Sequence, residues 1–223
     1  IMNDISVILR VKNEERWIGH TIQSIIDFFD NPQIIVIDNI STDRSMEIVS
    51  HFKKDPSLKA DNSAYANILE LKINDYTPGK ALNLGVKSAL SDTIMIVSSH
   101  CVIKKLNFNN IKKNLKFNAA IFGKQIPVWL GKKIKKKYVW LNFGEEECQN
   151  LYSDFESRYF FHNAFSFFNK ETLLKYKFNE NLVGKEDRYW ANDRISEGDK
   201  ILYSPENIVE HHYTDSGSTW KSL

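Results

Sequence analysis

Cysteine is almost missing from this 223-residue chain: Cys101 and Cys148 stand far apart, and neither belongs to a C-x-x-C pair. That excludes a disulfide framework and makes a reducing cytoplasm the expected compartment. Long apolar runs are missing too, none approaching the ~18–20 residues that a membrane span requires. The first apolar run, 5–11, is short and carries Arg10, so no signal peptide is expected. Excess charge is absent: the net value is +2, which gives no general case for nucleic-acid binding. Glycine is lacking where a dinucleotide site needs it, since none occurs before Gly19, and no G-x-x-x-x-G-K-[ST] loop exists anywhere. The chain is therefore neither a standard dinucleotide binder nor a P-loop NTPase. It has no internal repeat.

Core-forming material is plentiful, with 42% hydrophobic and 13% aromatic residues. Near-continuous apolar segments at 5–11, 34–38, 67–71, 93–97 and 119–123 read as buried strands. Helical spacing spans 15–29, 43–54 and 79–90 between them. Such alternation predicts an α/β fold with a mostly parallel sheet flanked by helices on both faces. The second half is less regular. A strand is expected at 163–168, helices at 170–176 and 186–197, and separate strands at 200–203 and 207–211. The segment 128–150, with its lysines at 132–137 and its aromatics, is expected to be a flap.

Ligands in open parallel sheets bind beyond the carboxyl ends of the strands. Here those ends carry Arg10, Lys12, Asn13 and Glu14, then Asp38 and Asn39, then Ser98, Ser99 and His100. Three polar clusters at three strand ends predict one convergent site.

The segments ISVILRVKNEE (5–15), IIVIDNISTD (34–43) and GKALNLG (79–85) resemble, in order and spacing, the signatures of family 2 glycosyltransferases with the GT-A fold. The similarity continues through GKQIP (123–127), FHNA (161–164), EDR (186–188) and VEHH (209–212), and so covers nearly the whole chain. The resemblance implies a single GT-A-like domain over 1–223. Residues 1–123 would hold the nucleotide sugar, and 124–223 the acceptor and the catalytic groups. It implies donor contacts from Arg10, Asn13, Glu14, Asp38, Lys80, Asn83, Ser98 and Ser99. It makes Asp187 the general base with Glu186 in support, and Gln125, Trp129, His162, Asn163 and Arg188 acceptor residues, with Trp140 as a further candidate cleft wall. Phe160 and Phe161 are expected in the core.

One departure stands out. Such enzymes usually end the fourth strand in Asp-x-Asp, whose carboxylates hold a divalent ion on the diphosphate. This chain has Ser98-Ser99-His100 instead. The polypeptide N-acetylgalactosaminyltransferases have a similar Asp-x-His, completed by a later histidine, and His211 or His212 would serve here. Imidazole ligands favour Mn²⁺ over Mg²⁺, with metal-independent transfer as the alternative.

The resulting expectation is transfer of a sugar, by default from a UDP-sugar, to a hydroxyl of a glycan or lipid-linked acceptor, with inversion. No nucleic-acid partner is expected; the lysines at 132–137 would give at most a peripheral membrane contact. A non-catalytic nucleotide- or carbohydrate-binding domain and a nucleotidyltransferase are the rival readings. The latter lacks the glycine-rich basic loop that it needs after the first strand.

Overall fold

The computed structural model describes residues 5–53, 66–135, 138–215 and 217–220. In chain order the elements are β1 (Ser6–Val11), α1 (Ile18–Phe28), β2 (Gln33–Asp38), α2 (Ser45–Ser50), β3 (Asn67–Lys72), α3 (Pro78–Ser88), β4 (Thr93–Val97), β5 (Cys101–Lys105) and α4 (Phe108–Asn114). They continue with β6 (Ala120–Trp129), β7 (Lys132–Lys133), β8 (Cys148–Gln149), β9 (Tyr152–Ser153), β10 (Arg158–Tyr159), β11 (Phe165–Asn169), α5 (Lys170–Lys175), α6 (Glu186–Ser196) and β12 (Ile201–His212).

The two-residue period of a strand explains the layers. In β1, Val7, Leu9 and Val11 enter one core, whereas Ile8 enters the other. In β2, Ile34 and Val36 divide from Ile35 and Ile37 in the same way, and in β4 Met95 and Val97 divide from Ile94 and Ile96. Strands apolar on both faces need cover on both. Helices α1, α2 and α4 supply it on one side through Ile22, Ile25, Val49 and Ile111. On the other side α3, α5 and α6 supply Leu82, Val86, Leu173 and Trp190.

The main sheet runs β3-β2-β1-β4-β11-β6-β12-β5. Its first four strands are parallel. Beyond β4 it becomes mixed, because β11 lies antiparallel to both β4 and β6, and β5 antiparallel to β12. The result is a GT-A-like architecture, with every expected strand present but several bounds moved. The strand expected at 119–123 continues to Trp129, so the proposed boundary between halves at 123/124 falls inside β6. The strands expected at 200–203 and 207–211 are one strand, β12, whose register slips between Ser204 and Ile208. Asn207 ties that bulge down: its Nδ2 donates to Ser204 Oγ at 3.0 Å, and its Oδ1 accepts the Asn107 N–H at 2.8 Å. Strand β5 was not expected from sequence. The helix expected at 43–54 is shorter, and residue 54 lies outside the described residues.

The flap expected at 128–150 needs correction. Trp140 and Phe143 are fully buried, and Trp140 packs edge-on against His211 with ring centroids 5.0 Å apart. They anchor the segment to the core, so Trp140 does not line a cleft.

The GKALNLG segment shows why its glycines are there. Helix α3 starts on Thr77, whose Oγ1 accepts the Lys80 N–H, with Pro78 in the first turn. A Cβ at Gly79 would lie 2.3 Å from the Asn179 carbonyl oxygen, and one at Gly85 2.8 Å from Ile8 Cγ2. Both glycines permit close packing. Gly79→Ala is accordingly expected to cost about 1–3 kcal/mol, read as a lower urea midpoint at unchanged slope. An unchanged midpoint would show that this end of α3 is not pinned.

Candidate active site

A cleft of about 760 Å³ opens where β1 and β4 end and α6 begins. Arg10, Glu14, Ser98, Ser99 and His100 line it together with His162, Asn163, Glu186, Asp187 and Arg188. The antiparallel course of β11 brings His162 and Asn163, just before it, to the same sheet edge as the ends of β1 and β4. The link is direct, since the Ser98 N–H donates to the Ala164 carbonyl at 3.0 Å.

Helix α6 presents its acidic pair at its N-terminus, where the helix dipole favours negative charge. The preceding residue, Lys185, holds a left-handed backbone with φ 64°, a conformation that non-glycine residues adopt at a cost. Glu186 accepts from Arg10 Nη1 at 2.9 Å, joining residues 176 apart in sequence. Asp187 accepts the Asn163 N–H at 3.1 Å and the Arg188 N–H at 2.8 Å. Burial pushes the Asp187 carboxyl above its ordinary range, although the two amides, Arg188 and Arg10 oppose that shift. Burial also disfavours the Arg10 cation, but Glu186, Tyr76 and Asp187 together outweigh it and hold the guanidinium pKa above its usual value. Asn163 Nδ2 is buried and has no hydrogen-bond partner among the described residues. A buried orphan donor is costly, and an oxygen-rich ligand in the cleft would satisfy it.

Histidines form the floor. His100 Nδ1 lies 3.1 Å from Glu14 Oε1, and His100 Nε2 lies 3.1 Å from His211 Nε2. His211 Nδ1 lies 2.9 Å from Gln125 Oε1. Both Nδ1 atoms face oxygens that only accept, so each carries its proton there. Burial, then the neighbouring His100, His162 and His212, drive the His211 pKa well down, leaving that ring neutral. Its Nε2 lone pair therefore points at His100 Nε2. A cation shared between the two rings would stabilise such an arrangement. Two imidazoles about 2.1 Å from one ion and about a right angle apart have their nitrogens about 3 Å apart. Metal-bound histidines also characteristically donate their other N–H to a carboxylate or carbonyl, as both do here. The pair thus fits as two ligands. Among the described residues, no group of three or more His, Cys, Asp and Glu is assembled to hold an ion. Strand alternation turns His212 away, and its ring stacks on Trp17 at 3.9 Å. The expectation that it might serve beside His100 is corrected.

Other expected residues lie elsewhere. Lys80 is ion-paired with Asp75. Asn83 spends its amide on Phe178, donating to the carbonyl at 2.9 Å and accepting the N–H at 3.1 Å. It is a structural tie. Asn13, at φ 53°, accepts the Thr42 N–H, and Asp38 accepts the Ser41 N–H. Each of them shapes the loop after β2 and lies outside the cleft lining, where Asn39 and Lys12 are found instead. Gln125 is fully buried beneath the floor, so it cannot touch an acceptor. Trp129 is half-exposed beside Tyr213, also outside the lining. The expected core role of Phe160 and Phe161 holds, both being buried.

Sequence reading missed Tyr138, Phe155 and Glu156. The Tyr138 and Phe155 rings stand 6.2 Å apart at the mouth of the cleft, both exposed. Glu156 pairs with Arg158 at 2.5 Å and Arg188 at 3.4 Å, which ties Arg188 to the wall. An exposed aromatic in an irregular segment carries no periodic signal, so only the fold reveals it.

The architecture and the cleft at its strand ends are those of a nucleotide-sugar transferase of GT-A type. The sequence pattern of Glycosyl transferase family 2 matches residues 6–178, and the chain belongs to that family. It is 29% identical over 107 residues to poly(ribitol-phosphate) β-N-acetylglucosaminyltransferase TarS of Staphylococcus aureus, covering 47% of this chain and 17% of that protein. It is 28% identical over 121 residues to poly-β-1,6-N-acetyl-D-glucosamine synthase of Staphylococcus epidermidis, covering 52% of this chain and 27% of that one. The crystal structure of S. aureus TarS 1–349 with UDP-GlcNAc superposes with a TM-score of 0.69 at 19% identity, over 96% of this chain and 60% of that one. The matched segments thus span only 17% and 27% of these curated relatives.

Proposed function

We propose that the chain transfers a sugar from a nucleotide-diphospho-sugar, with UDP as the nucleotide, to a hydroxyl of a glycan or lipid-linked sugar acceptor, inverting the anomeric centre. The observation that carries this is the buried Glu186–Asp187 pair lining one cleft with His100 and the serines. Binding alone has no use for a buried carboxylate whose pKa burial raises. Asp187 is the base: it takes the proton from the acceptor hydroxyl as that oxygen attacks the anomeric carbon and the diphosphate leaves. Glu186, held by Arg10, keeps the start of α6 in place. Ser98, Ser99 and Asn163 Nδ2 bind donor oxygens, and the exposed Tyr138 and Phe155 offer ring faces for a sugar.

His100 and His211 would hold a divalent ion, with Mn²⁺ preferred over Mg²⁺ because the protein ligands are imidazoles. Such an ion supplies positive charge for the departing diphosphate. UDP is chosen because a GT-A relative of similar fold was crystallised with UDP-GlcNAc. Lys132 and Lys133 on β7 are exposed and would give a weak contact with an anionic membrane surface; on this reading the chain is cytoplasmic and at most peripheral to the membrane. Lys136 and Lys137 of the same run lie outside the described residues.

A thermal-shift series tests the donor assignment. UDP is expected to raise the melting temperature, more so with Mn²⁺, and more than ADP or GDP at equal concentration. Absence of any shift with millimolar nucleoside diphosphates would overturn it.

A further inference from the structure

Gln125 was expected at the acceptor, yet it lies sealed beneath the cleft with no exposed surface. Burying a primary amide is costly unless all its groups are used. Both ends are used here, and on two different histidines. Its Oε1 faces His211 Nδ1 at 2.9 Å, and its Nε2 faces His162 Nδ1 at 3.1 Å. His162 Nε2 in turn faces Thr219 Oγ1 at 3.4 Å. The chain from Glu14 through His100, His211, Gln125 and His162 to Thr219 is continuous. Both its ends reach the cleft, because Glu14, His100, His162 and Thr219 all line it whereas Gln125 and His211 lie beneath.

The amide has one donating and one accepting end, so it orders the protons on both rings at once. With Oε1 toward His211, that ring keeps its proton on Nδ1 and offers its Nε2 lone pair to the His100 side. With Nε2 toward His162, that ring accepts at Nδ1 and carries its proton on Nε2, where it can donate into the cleft. A half-turn of the amide would reverse both rings together. His162 is neutral under ordinary conditions, since burial and the adjacent Arg188 and Arg158 push its pKa down to about 4, so it has one proton to place.

We propose that Gln125 is a positioning residue that fixes the tautomers of His211 and His162 as a pair, coupling the ion-binding side of the cleft to the acceptor side. The ion half rests on the reading of His100 and His211 as metal ligands; the His162 half does not.

Two variants separate the ends of the amide. Gln125→Leu removes both contacts, whereas Gln125→Glu keeps an acceptor for His211 and loses the donor to His162. Titration calorimetry with Mn²⁺, alone and with UDP, is expected to show a loss of affinity of about 10–100-fold for Gln125→Leu. Gln125→Glu should stay near the wild type. In the ion-free protein, ¹⁵N spectra of labelled histidine should place the His162 proton on Nε2 in the wild type and move it to Nδ1 in Gln125→Glu. A purely structural glutamine would lower the melting temperature while leaving affinity and tautomer alone. Unchanged Mn²⁺ affinity in Gln125→Leu, or a wild-type His162 protonated on Nδ1, overturns the proposal. If Gln125→Leu fails to fold, the Gln125→Glu spectrum decides. A wild type that binds no Mn²⁺ even with UDP overturns the ion reading instead, and the His162 spectrum still decides the role of the amide.

Discussion

Asp187→Asn should lower sugar transfer by about 10²–10⁴-fold, the usual weight of a general base, while the thermal shift produced by UDP persists. The carboxylate is held from two directions by the backbone N–H groups of Asn163 and Arg188, so its orientation comes from the main chain and survives changes to neighbouring side chains. Burial raises its pKa, and a base with a raised pKa accepts a proton more readily near neutrality. Asparagine keeps the shape and one accepting oxygen but cannot take the proton. The amide will turn one N–H toward a backbone N–H, so a small fall in melting temperature is expected as well. Transfer within about tenfold of the wild type would remove Asp187 as the base. A wild type that binds UDP but transfers from no UDP-sugar would favour the non-catalytic reading.

Arg10→Ala should be the most damaging change to stability among the cleft residues. It leaves Glu186, whose side chain is 6% exposed, charged and without its partner. Losing one member of a buried pair costs about 3–5 kcal/mol. The Arg10 side chain is 21% exposed, so water replaces part of its charge and about 3 kcal/mol is the better expectation. The same change has a kinetic sign. Arg10 lowers the Asp187 pKa, so its removal raises that pKa, and the base stays protonated to higher pH. The acidic limb of the kcat/KM profile should move to higher pH, and Arg10→Lys should restore much of it. A limb that does not move in Arg10→Ala would show that the two charges are uncoupled.

How much of this could be read from sequence depended on which force acted. The strands β1, β2 and β4 were legible because both faces are buried, and such strands are apolar throughout. Strand β5 was not, since it lies at the sheet edge and ends in Lys104 and Lys105, residues that discourage edge pairing. Pro205 and Glu206 fall in the gap between the strands expected at 200–203 and 207–211. The bulge at that point accommodates both without breaking β12. At the site, Arg10, Glu14, Ser98, Ser99, His100, His162, Asn163 and the acidic pair are gathered in the cleft, because strand ends and a helix start converge by topology. Lys80 and Asn83 were misplaced for a simple reason. A polar residue on the first turns of a helix can turn toward the strand ends or toward a neighbouring loop: Asn83 found its partners at Phe178 and Glu180, and Lys80 found its own at Asp75. Gln125 was mistaken for a surface residue because an amide has the same composition whether it meets substrate or two buried rings.

Strand β6 crosses from what sequence suggested was the donor half into the acceptor half, bonded to β11 and β12 along the way. Two lobes that share a sheet have no seam along which to swing. Substrate entry and product exit must then be gated by loops that line the cleft, such as 154–157 and 183–185, not by a hinge. Amide exchange should report this directly: on UDP binding, protection should rise in those loops and stay level along β6 and β12.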